Sequence, residues 1–296
     1  MTPSRKILVT GATGTQGGGV VRHCLAAQHQ VTALVRDPNS PAAQALSEMG
    51  SQVAQGDFAD PDSLNKAAVG MDAVFLNVHV TQPAHDEIDH AKNVIAAAKA
   101  AGVPMLVYSS VVMTGKHESF PNWGEQHPQY WYWKNKHAIE EMVRGAGFKY
   151  WIITRPAFFL QNFVQPKVSF MFPELPSEHV LKVAYKPETK LTLVDGGDVG
   201  RVAAAALSHP EDYAGRAIDL AVEEVTPPQL AERLTKAWGR TVQLQYISEE
   251  ELEAFAGHPI IQAQLWNNEV GYKVDNIPDV VNEFHLTGVD EYFARN

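Results

Sequence analysis

Short apolar runs alternate with stretches of helical periodicity over the first half of the chain. Runs rich in Val, Ile and Leu, separated by helical stretches, are typical of consecutive βαβ units around a parallel sheet. The pattern predicts strands at Ile7–Val9, Val31–Val35, Gln52–Gln55, Ala73–Asn77, Met105–Tyr108 and Tyr150–Thr154. It predicts helices near Gln16–Ala27, Ala42–Met49, Ser63–Ala68, His85–Ala101 and Lys136–Gly145. Ligands of such sheets bind beyond the carboxyl ends of the strands.

The alternation fails after Thr154, and the segment 155–190 carries five prolines. We expect this segment to be rich in loops and to shape a cleft. Further helices are predicted to start at Thr226-Pro-Pro-Gln and, with a capping box, at Ser248-Glu-Glu-Glu251. The chain is therefore expected to form an α/β fold with a doubly wound parallel sheet over residues 1–155. A smaller α/β C-terminal lobe over residues 156–296 would pack on it with interleaved elements.

Composition narrows the class of protein. The 296 residues are 45% hydrophobic and 20% charged, as in ordinary soluble globular proteins, and the first residues show no signal peptide or membrane span. A net charge of −10 without a basic block disfavours binding to nucleic acid. With Cys24 as the only cysteine, no intramolecular disulfide is available, which favours a reducing compartment. We expect a cytoplasmic monomer or homodimer that binds neither nucleic acid nor membranes.

A glycine-rich turn follows the first predicted strand. In Thr10-Gly-Ala-Thr-Gly-Thr-Gln-Gly-Gly18, three glycines stand at three-residue steps between a strand and a helix. Glycine lets the backbone turn tightly and approach a pyrophosphate, which the free N–H groups and the helix dipole then attract. The alternative is a purely structural turn. The residues predicted to bind a dinucleotide are Gly11, Ala12, Thr13, Gly14, Thr15, Gln16 and Gly17.

Arg36 stands at the end of the second predicted strand, where the ribose of the adenosine is recognised. An acidic residue there would hold the two ribose hydroxyls, whereas an arginine fork suits a 2′-phosphate. In the competing interpretation, Asp37 grips the ribose of NAD and Arg36 points to solvent. We predict NADP(H) as the cofactor, bound more tightly than NAD(H).

Several motifs together resemble the NmrA-like family, atypical members of the short-chain dehydrogenase/reductase superfamily. They cover most of the chain: the glycine turn, Val35-Arg36, Gln55-Gly-Asp57, Lys136 with Ile139-Glu140-Glu141, and Arg155-Pro-Ala-Phe-Phe-Leu-Gln-Asn162. The resemblance implies a Rossmann domain with a smaller C-terminal lobe. It implies either an NADP(H)-dependent reductase or a catalytically silent redox sensor that binds a protein partner.

The resemblance also implies further cofactor contacts. Asp57 and Phe58 would border the adenine, Val78 and His79 would lie by the cofactor, and Lys136, Phe159 and Asn162 would surround the nicotinamide end. Structural roles remain open: Asp57 could cap the turn before Pro61, Asn162 could tie down a loop, and His79 could simply be packed. Asp89 departs from the sensor-type members, which place a basic residue there.

The spacing Tyr-x-x-x-Lys occurs twice, as Tyr130/Lys134 and Tyr132/Lys136, and only the second agrees with the family register. A tyrosine whose pKa is lowered by a lysine on the same helix face can protonate a developing alkoxide. Ser110, or less well Ser109, would complete a catalytic set of Ser110, Tyr132 and Lys136. The aromatic stretch could equally be packing or a lid, and the serine could bond only local backbone.

The expected activity is reduction of a small carbonyl, quinone or conjugated substrate by NADPH, between the sheet ends and the C-terminal lobe. Phe158, Phe159 and Phe163 would form an apolar wall. The alternatives are a non-catalytic NADP(H) sensor with a protein partner, or an enzyme that uses the cofactor without net redox change. No metal site is expected, because neither histidine group has zinc-ligand spacing. These groups are His117, His127 and His137, and His79, His85 and His90.

Overall fold

A computed structural model describes residues 3–79, 85–255 and 257–296, with the backbone only of His85. The strands are β1 (Lys6–Val9), β2 (Gln30–Val35), β3 (Gln52–Gln55), β4 (Ala73–Leu76), β5 (Met105–Ser109), β6 (Tyr150–Pro156), β7 (Phe158–Phe159), β8 (Val180–Val183), β9 (Leu191–Val194), β10 (Arg216–Leu220), β11 (Glu223–Val225) and β12 (Gln243–Tyr246). The helices are α1 (Thr15–Ala26), α2 (Pro41–Glu48), α3 (Pro61–Ala68), α4 (His85–Ala100), α5 (Tyr130–Gly145), α6 (Val168–Met171), α7 (Glu174–Glu178), α8 (Val199–Ser208), α9 (Pro210–Tyr213), α10 (Pro227–Trp238), α11 (Glu249–Ala254), α12 (Pro259–Glu269), α13 (Ile277–Phe284) and α14 (Val289–Ala294).

The six predicted strands are present, each within two residues of its expected ends. The largest difference is α5, which begins at Tyr130 rather than near Lys136. The aromatic residues before Lys136 have modest helix propensity, but the side chain of Trp133 is completely buried, so packing extends the helix backwards. Within the described ranges, no helix is long and apolar enough to cross a membrane.

The chain forms two compact units and passes between them several times. The first unit contains residues 1–114, 131–156 and 196–219, and the second contains 115–130, 157–195 and 220–296. One of these crossings lies within one residue of the boundary expected after residue 155. The segment 196–219 returns to the first unit, where α8 packs against α1.

A seven-stranded sheet in the order β3-β2-β1-β4-β5-β6-β10 organises the first unit. Strands β1 to β6 pair in parallel, which confirms the predicted doubly wound fold. The order reverses between β1 and β4, and the crevice beyond the strand ends at such a switch point is where ligands bind. Helices α3, α4 and α5 pack on one face of the sheet over an apolar core, which buries Ala91, Val94 and Ala98 of α4.

Two glycines allow α1 and α8 to approach each other within the first unit. A Cβ at Gly19 would lie 2.3 Å from the carbonyl oxygen of Gly197, and one at Gly200 would lie 2.2 Å from that of Gly19. Neither position can accept a side chain without backbone movement. The contact holds residues 196–208 against the helix that follows the glycine-rich turn.

The second unit has smaller sheets, one of β11, β9 and β7 and one of β12 and β8. The proline-rich segment contributes short elements rather than one long loop, and Phe163 of this segment stacks on Phe172 in the core. Both predicted helix starts are confirmed. Thr226 forms a capping box with Gln229 on α10, and Ser248 forms one with Glu251 on α11.

Candidate functional site

The glycine-rich turn joins β1 to α1 with no room for side chains at two of its positions. Gly11 has a φ of +61°, and a Cβ there would lie 3.0 Å from the side-chain nitrogen of Asn77. A Cβ at Gly17 would lie 2.2 Å from the carbonyl oxygen of Gly11. The Thr10 hydroxyl fixes the turn to the end of β4 by donating to Phe75 O at 3.0 Å and accepting from Asn77 N at 2.8 Å.

A cavity of about 640 Å³ opens at the carboxyl ends of β1 and β2. Its walls come entirely from the first unit. They include six residues that were predicted to bind the cofactor and six that were not. The predicted ones are Gly11, Thr13, Arg36, Asp57, Phe58 and His79, and the others are Leu34, Val35, Asp37, Ser40, Gly56 and His90.

Arg36 and Asp37 both border the cavity, but their side chains differ in the hydrogen bonds and salt bridges that they form. The Asp37 carboxylate accepts a hydrogen bond from the Asn39 amide at 2.9 Å and so shapes the turn before α2. The Arg36 side chain is exposed, and no salt bridge to it is found in the part of the chain that the structure describes. Within the described chain, Arg36 therefore offers an unpaired charge to an incoming anion, whereas one oxygen of the Asp37 carboxylate is already bonded to the Asn39 amide.

Phe58 and His90 also line the cavity, with ring centroids 5.5 Å apart. Asp57 also lines the cavity, but its carboxylate accepts from the Ala59 amide at 2.8 Å, so it has the turn-shaping role that remained open. Burial, followed by the charges of Arg36 and Lys136, lowers the pKa of His79 from 6.5. A cavity lined by both aromatic rings and an arginine suits an adenine base with a phosphate on its ribose.

Lys136 makes an ion pair that the sequence did not reveal. Its ammonium lies 2.7 Å from a carboxylate oxygen of Glu87, and both side chains are buried, with exposed fractions of 8% and 0%. The second oxygen of Glu87 accepts a hydrogen bond from Asn135 at 3.4 Å. Glu87 stands in the first turn of α4, where the helix dipole favours a negative charge. An acidic residue in a first turn usually complements the dipole at the surface, so no local signal marked it as buried.

Tyr132 precedes Lys136 by one turn of α5, and its ring centre is 5.9 Å from the lysine ammonium. The two candidate serines face different surroundings, because successive side chains alternate along β5 and beyond it. The Ser109 hydroxyl donates to the side chain of Gln16 in α1, whereas Ser110 is hydrogen-bonded to Thr114 at 3.2 Å. Ser109 is thus the one attached to the cofactor-binding turn.

A family model described as the NmrA-like family matches residues 3–293. The chain belongs to the NmrA-like family. An NmrA-like oxidoreductase of Penicillium ochrochloron, ptmS, is 33% identical to it over 264 residues, covering 83% of this chain and 77% of the relative. The predicted family and fold class are therefore confirmed.

Solved NmrA-like structures share the fold. The Escherichia coli NADPH-dependent quinone oxidoreductase QOR2, complexed with NADPH, matches with a TM-score of 0.76 at 24% identity, covering 98% of this chain and 99% of that one. NmrA, a negative transcriptional regulator complexed with NADP, matches with a TM-score of 0.78 at 21% identity, covering 98% and 94%. The fold thus occurs both in a reductase and in a regulator.

The remaining predicted residues of this NmrA-like chain lie in other surroundings. Val78 is buried in the core of the first unit. Phe159 and Asn162 belong to the second unit, where Phe159 is half-buried under the ammonium of Lys167 at 5.4 Å. Phe163 is completely buried, so it is a core residue and the expectation that it forms a substrate wall is wrong.

Among the described residues, no three His, Cys, Asp or Glu side chains are grouped as metal ligands. His117 packs against Trp123 in an aromatic cluster, with ring centroids 4.8 Å apart. Burial lowers the pKa of His127, which stacks on the other side of Trp123. The His85 side chain, part of the second histidine group, lies outside the described residues.

Proposed function

We propose that this protein binds NADP(H) in the cavity between the glycine-rich turn and Phe58 and reduces a small quinone, carbonyl or conjugated substrate. The observation that carries the proposal is the Arg36 side chain on the rim of the cavity, without a salt-bridge partner in the described chain. A buried or rim cation opposite an aromatic wall recognises a 2′-phosphate on an adenosine ribose.

The glycine-rich turn fits the pyrophosphate. Side chains at Gly11 and Gly17 would collide with neighbouring backbone, so these positions keep the turn open and close to α1. Its amides and the positive end of the helix dipole would then stabilise the phosphate charges. The relatives support the same assignment, since QOR2 and NmrA are both solved with NADP(H) or NADP.

When bound, the reduced nicotinamide supplies a hydride. In our proposal Lys136 donates hydrogen bonds to the nicotinamide ribose through the ammonium N–H groups that do not bind Glu87. Tyr132 donates a proton to the oxygen of the reduced substrate, and a serine hydroxyl on or after β5, Ser109 or Ser110, orients that oxygen. Because Glu87 neutralises Lys136, the lysine offers Tyr132 less electrostatic assistance than an unpaired cation would.

The cofactor assignment is tested by replacing Arg36 with Ala. Loss of a charged hydrogen bond to phosphate costs about tenfold or more in affinity. We expect NADPH binding to weaken by that factor and NADH binding, which involves no 2′-phosphate, to change little in a fluorescence or calorimetric titration. Equal losses for both cofactors, or no loss for NADPH, would contradict the assignment.

The reductase assignment is tested by following NADPH oxidation with a panel of quinones and aryl carbonyls. We expect turnover by the native protein and a reduced kcat in Tyr132→Phe, with the KM for NADPH little changed because the hydroxyl acts on the substrate. If no member of the panel is reduced and Tyr132→Phe behaves like the native protein, the reductase proposal is wrong.

A non-catalytic NADP(H) sensor is the second candidate, and the Lys136–Glu87 pair favours it because the pair reduces the activation of Tyr132. The similarity to the regulator NmrA supports it further. In this case cofactor binding would alter a protein-binding surface without turnover. Size-exclusion and partner-capture experiments with and without NADPH distinguish the two, and identical behaviour in both states counts against sensing.

A further inference from the structure

Glu87 is a buried carboxylate for which the fold alone gives little reason. Its side chain is fully enclosed, and its ion-pair partner in the described chain is Lys136. Removing two charges from water costs several kcal/mol, which their mutual attraction often only offsets, so an apolar pair would serve stability as well. A costly pair placed next to a cofactor site is better explained by what Glu87 does to the ammonium of Lys136.

The geometry points to Glu87 as the positioning residue for Lys136, holding its ammonium in one place and in its charged form for the nicotinamide ribose. This inference rests on the proposed function, because it assigns the partner of a residue within that cofactor site. Asn135 completes the arrangement by donating to the second carboxylate oxygen of Glu87. Lys136 retains two further N–H donors with which it can bind ribose hydroxyls.

The groups around the pair affect how the charge on Lys136 responds to loss of Glu87. The groups that face it are Tyr132 on α5, Tyr108 on β5 and His79 after β4. Burial, together with Glu87, raises the pKa of Tyr108, whereas burial and neighbouring cations lower that of His79. Both groups stay neutral between about pH 7 and 9. Without Glu87, burial favours the neutral amine, and the ammonium is lost as the pH rises.

The test measures the Kd for NADPH from about pH 7 to 9 in the native protein, four single variants and one double variant. Glu87→Gln keeps the size of the side chain but removes its charge, and Glu87→Asp keeps the charge on a shorter chain. Lys136→Met removes the ammonium. Asp89→Asn is the matched control, since Asp89 lies on the same helix in an exposed pair with Lys92 at 3.4 Å.

We expect Glu87→Gln to bind NADPH about tenfold more weakly at the upper end of this range, with the loss shrinking as the pH falls. The native protein, Glu87→Asp and Asp89→Asn should show no such trend, and Lys136→Met should bind weakly at every pH. The double variant Glu87→Gln/Lys136→Met should bind no worse than Lys136→Met alone, because Glu87 acts through the lysine.

Two outcomes separate this inference from the proposed function. If the native protein binds NADPH and Glu87→Gln matches it at every pH, Glu87 does not position Lys136, and the cofactor assignment stands. If the native protein does not bind NADPH at all, the proposed function and the inference both fail. If Glu87→Gln does not fold, Glu87→Asp takes its place in the test. Because aspartate keeps the charge, a fall in NADPH affinity with rising pH in Glu87→Asp would contradict the inference.

Discussion

Gly17 and Gly18 are adjacent in the first turns of α1 but differ in their surroundings. A Cβ at Gly17 would collide with the Gly11 carbonyl at 2.2 Å, whereas one at Gly18 would have its nearest contact at 3.4 Å. We expect Gly17→Ala to destabilise the fold by about 2 kcal/mol and to weaken NADPH binding. Gly18→Ala should keep or raise stability, because alanine favours helix. Thermal melts and titrations check the pair, and equal losses in both variants would contradict this account of the turn.

Glu140 carries the main pH dependence predicted for the first unit. Burial opposes its ionisation, but the hydrogen bonds and charge of Arg155 outweigh burial and lower the pKa of Glu140 from 4.5. A lowered folded-state pKa means that the stabilisation is present above about pH 4.5 and is lost as the pH falls through the folded value.

Replacing Glu140 with Gln should therefore cost about 3 kcal/mol at neutral pH, because Arg155 loses its buried partner. The decline in stability below pH 4.5 should become shallower in this variant, as measured by denaturant unfolding across pH. Glu141→Gln is the matched control, because Glu141 is 57% exposed and pairs only with Arg144 among the salt bridges of the described chain. A loss in the control as large as in Glu140→Gln would point to helix propensity instead.

At the scale of single residues, the sequence predicted several residues that line the cavity but not the ion pair between Lys136 and Glu87. Gly11 and Arg36 were predicted because each follows the end of a strand, whereas Phe58 was predicted only through the family resemblance. Glu87 was missed because its partner is 49 positions away, and the sequence does not show which acidic residue in a first helical turn faces inward. The sequence did not show whether Ser109 or Ser110 faces Gln16, because this depends on the direction of each side chain at the end of β5.

At the scale of elements, two helices start with the same capping box but bury different amounts of surface. The α10 helix buries Leu230 and Leu234, whereas α11 has no buried residue. We expect Thr226→Ala to lower the free energy of unfolding by about 1 kcal/mol. Ser248→Ala should instead raise hydrogen exchange within α11 and leave the melting temperature nearly unchanged. A comparable fall in melting temperature for both variants would show that α11 belongs to the cooperative core.

The elements that local pattern predicted best are the buried parallel strands and the capped helices. Their signals lie within a few residues, as in Ala73–Leu76 or Thr226-Pro-Pro-Gln. The start of α5 was placed too late because the burial of Trp133 is a tertiary effect that overrides propensity. The start of α5 was set by packing between segments distant in sequence, which periodicity does not show.

At the scale of the whole molecule, the route of the chain between the two units was the least predictable feature. Residues 196–219 return to the first unit because Gly200 fits against Gly19, a contact across more than 180 positions. No sequence pattern within residues 196–219 or within α1 predicts that the two segments pack together. The cofactor prediction did not depend on this route, because the cavity that carries it is formed from residues 11–90 alone.

We propose above all that this cavity selects a dinucleotide with a 2′-phosphate. A calorimetric titration of the native protein with NADPH and with NADH, at one pH and ionic strength, tests it most directly. Pairing of the Arg36 fork with the extra phosphate predicts that NADPH binds about tenfold or more tightly than NADH. Equal affinities, or tighter binding of NADH, would contradict it.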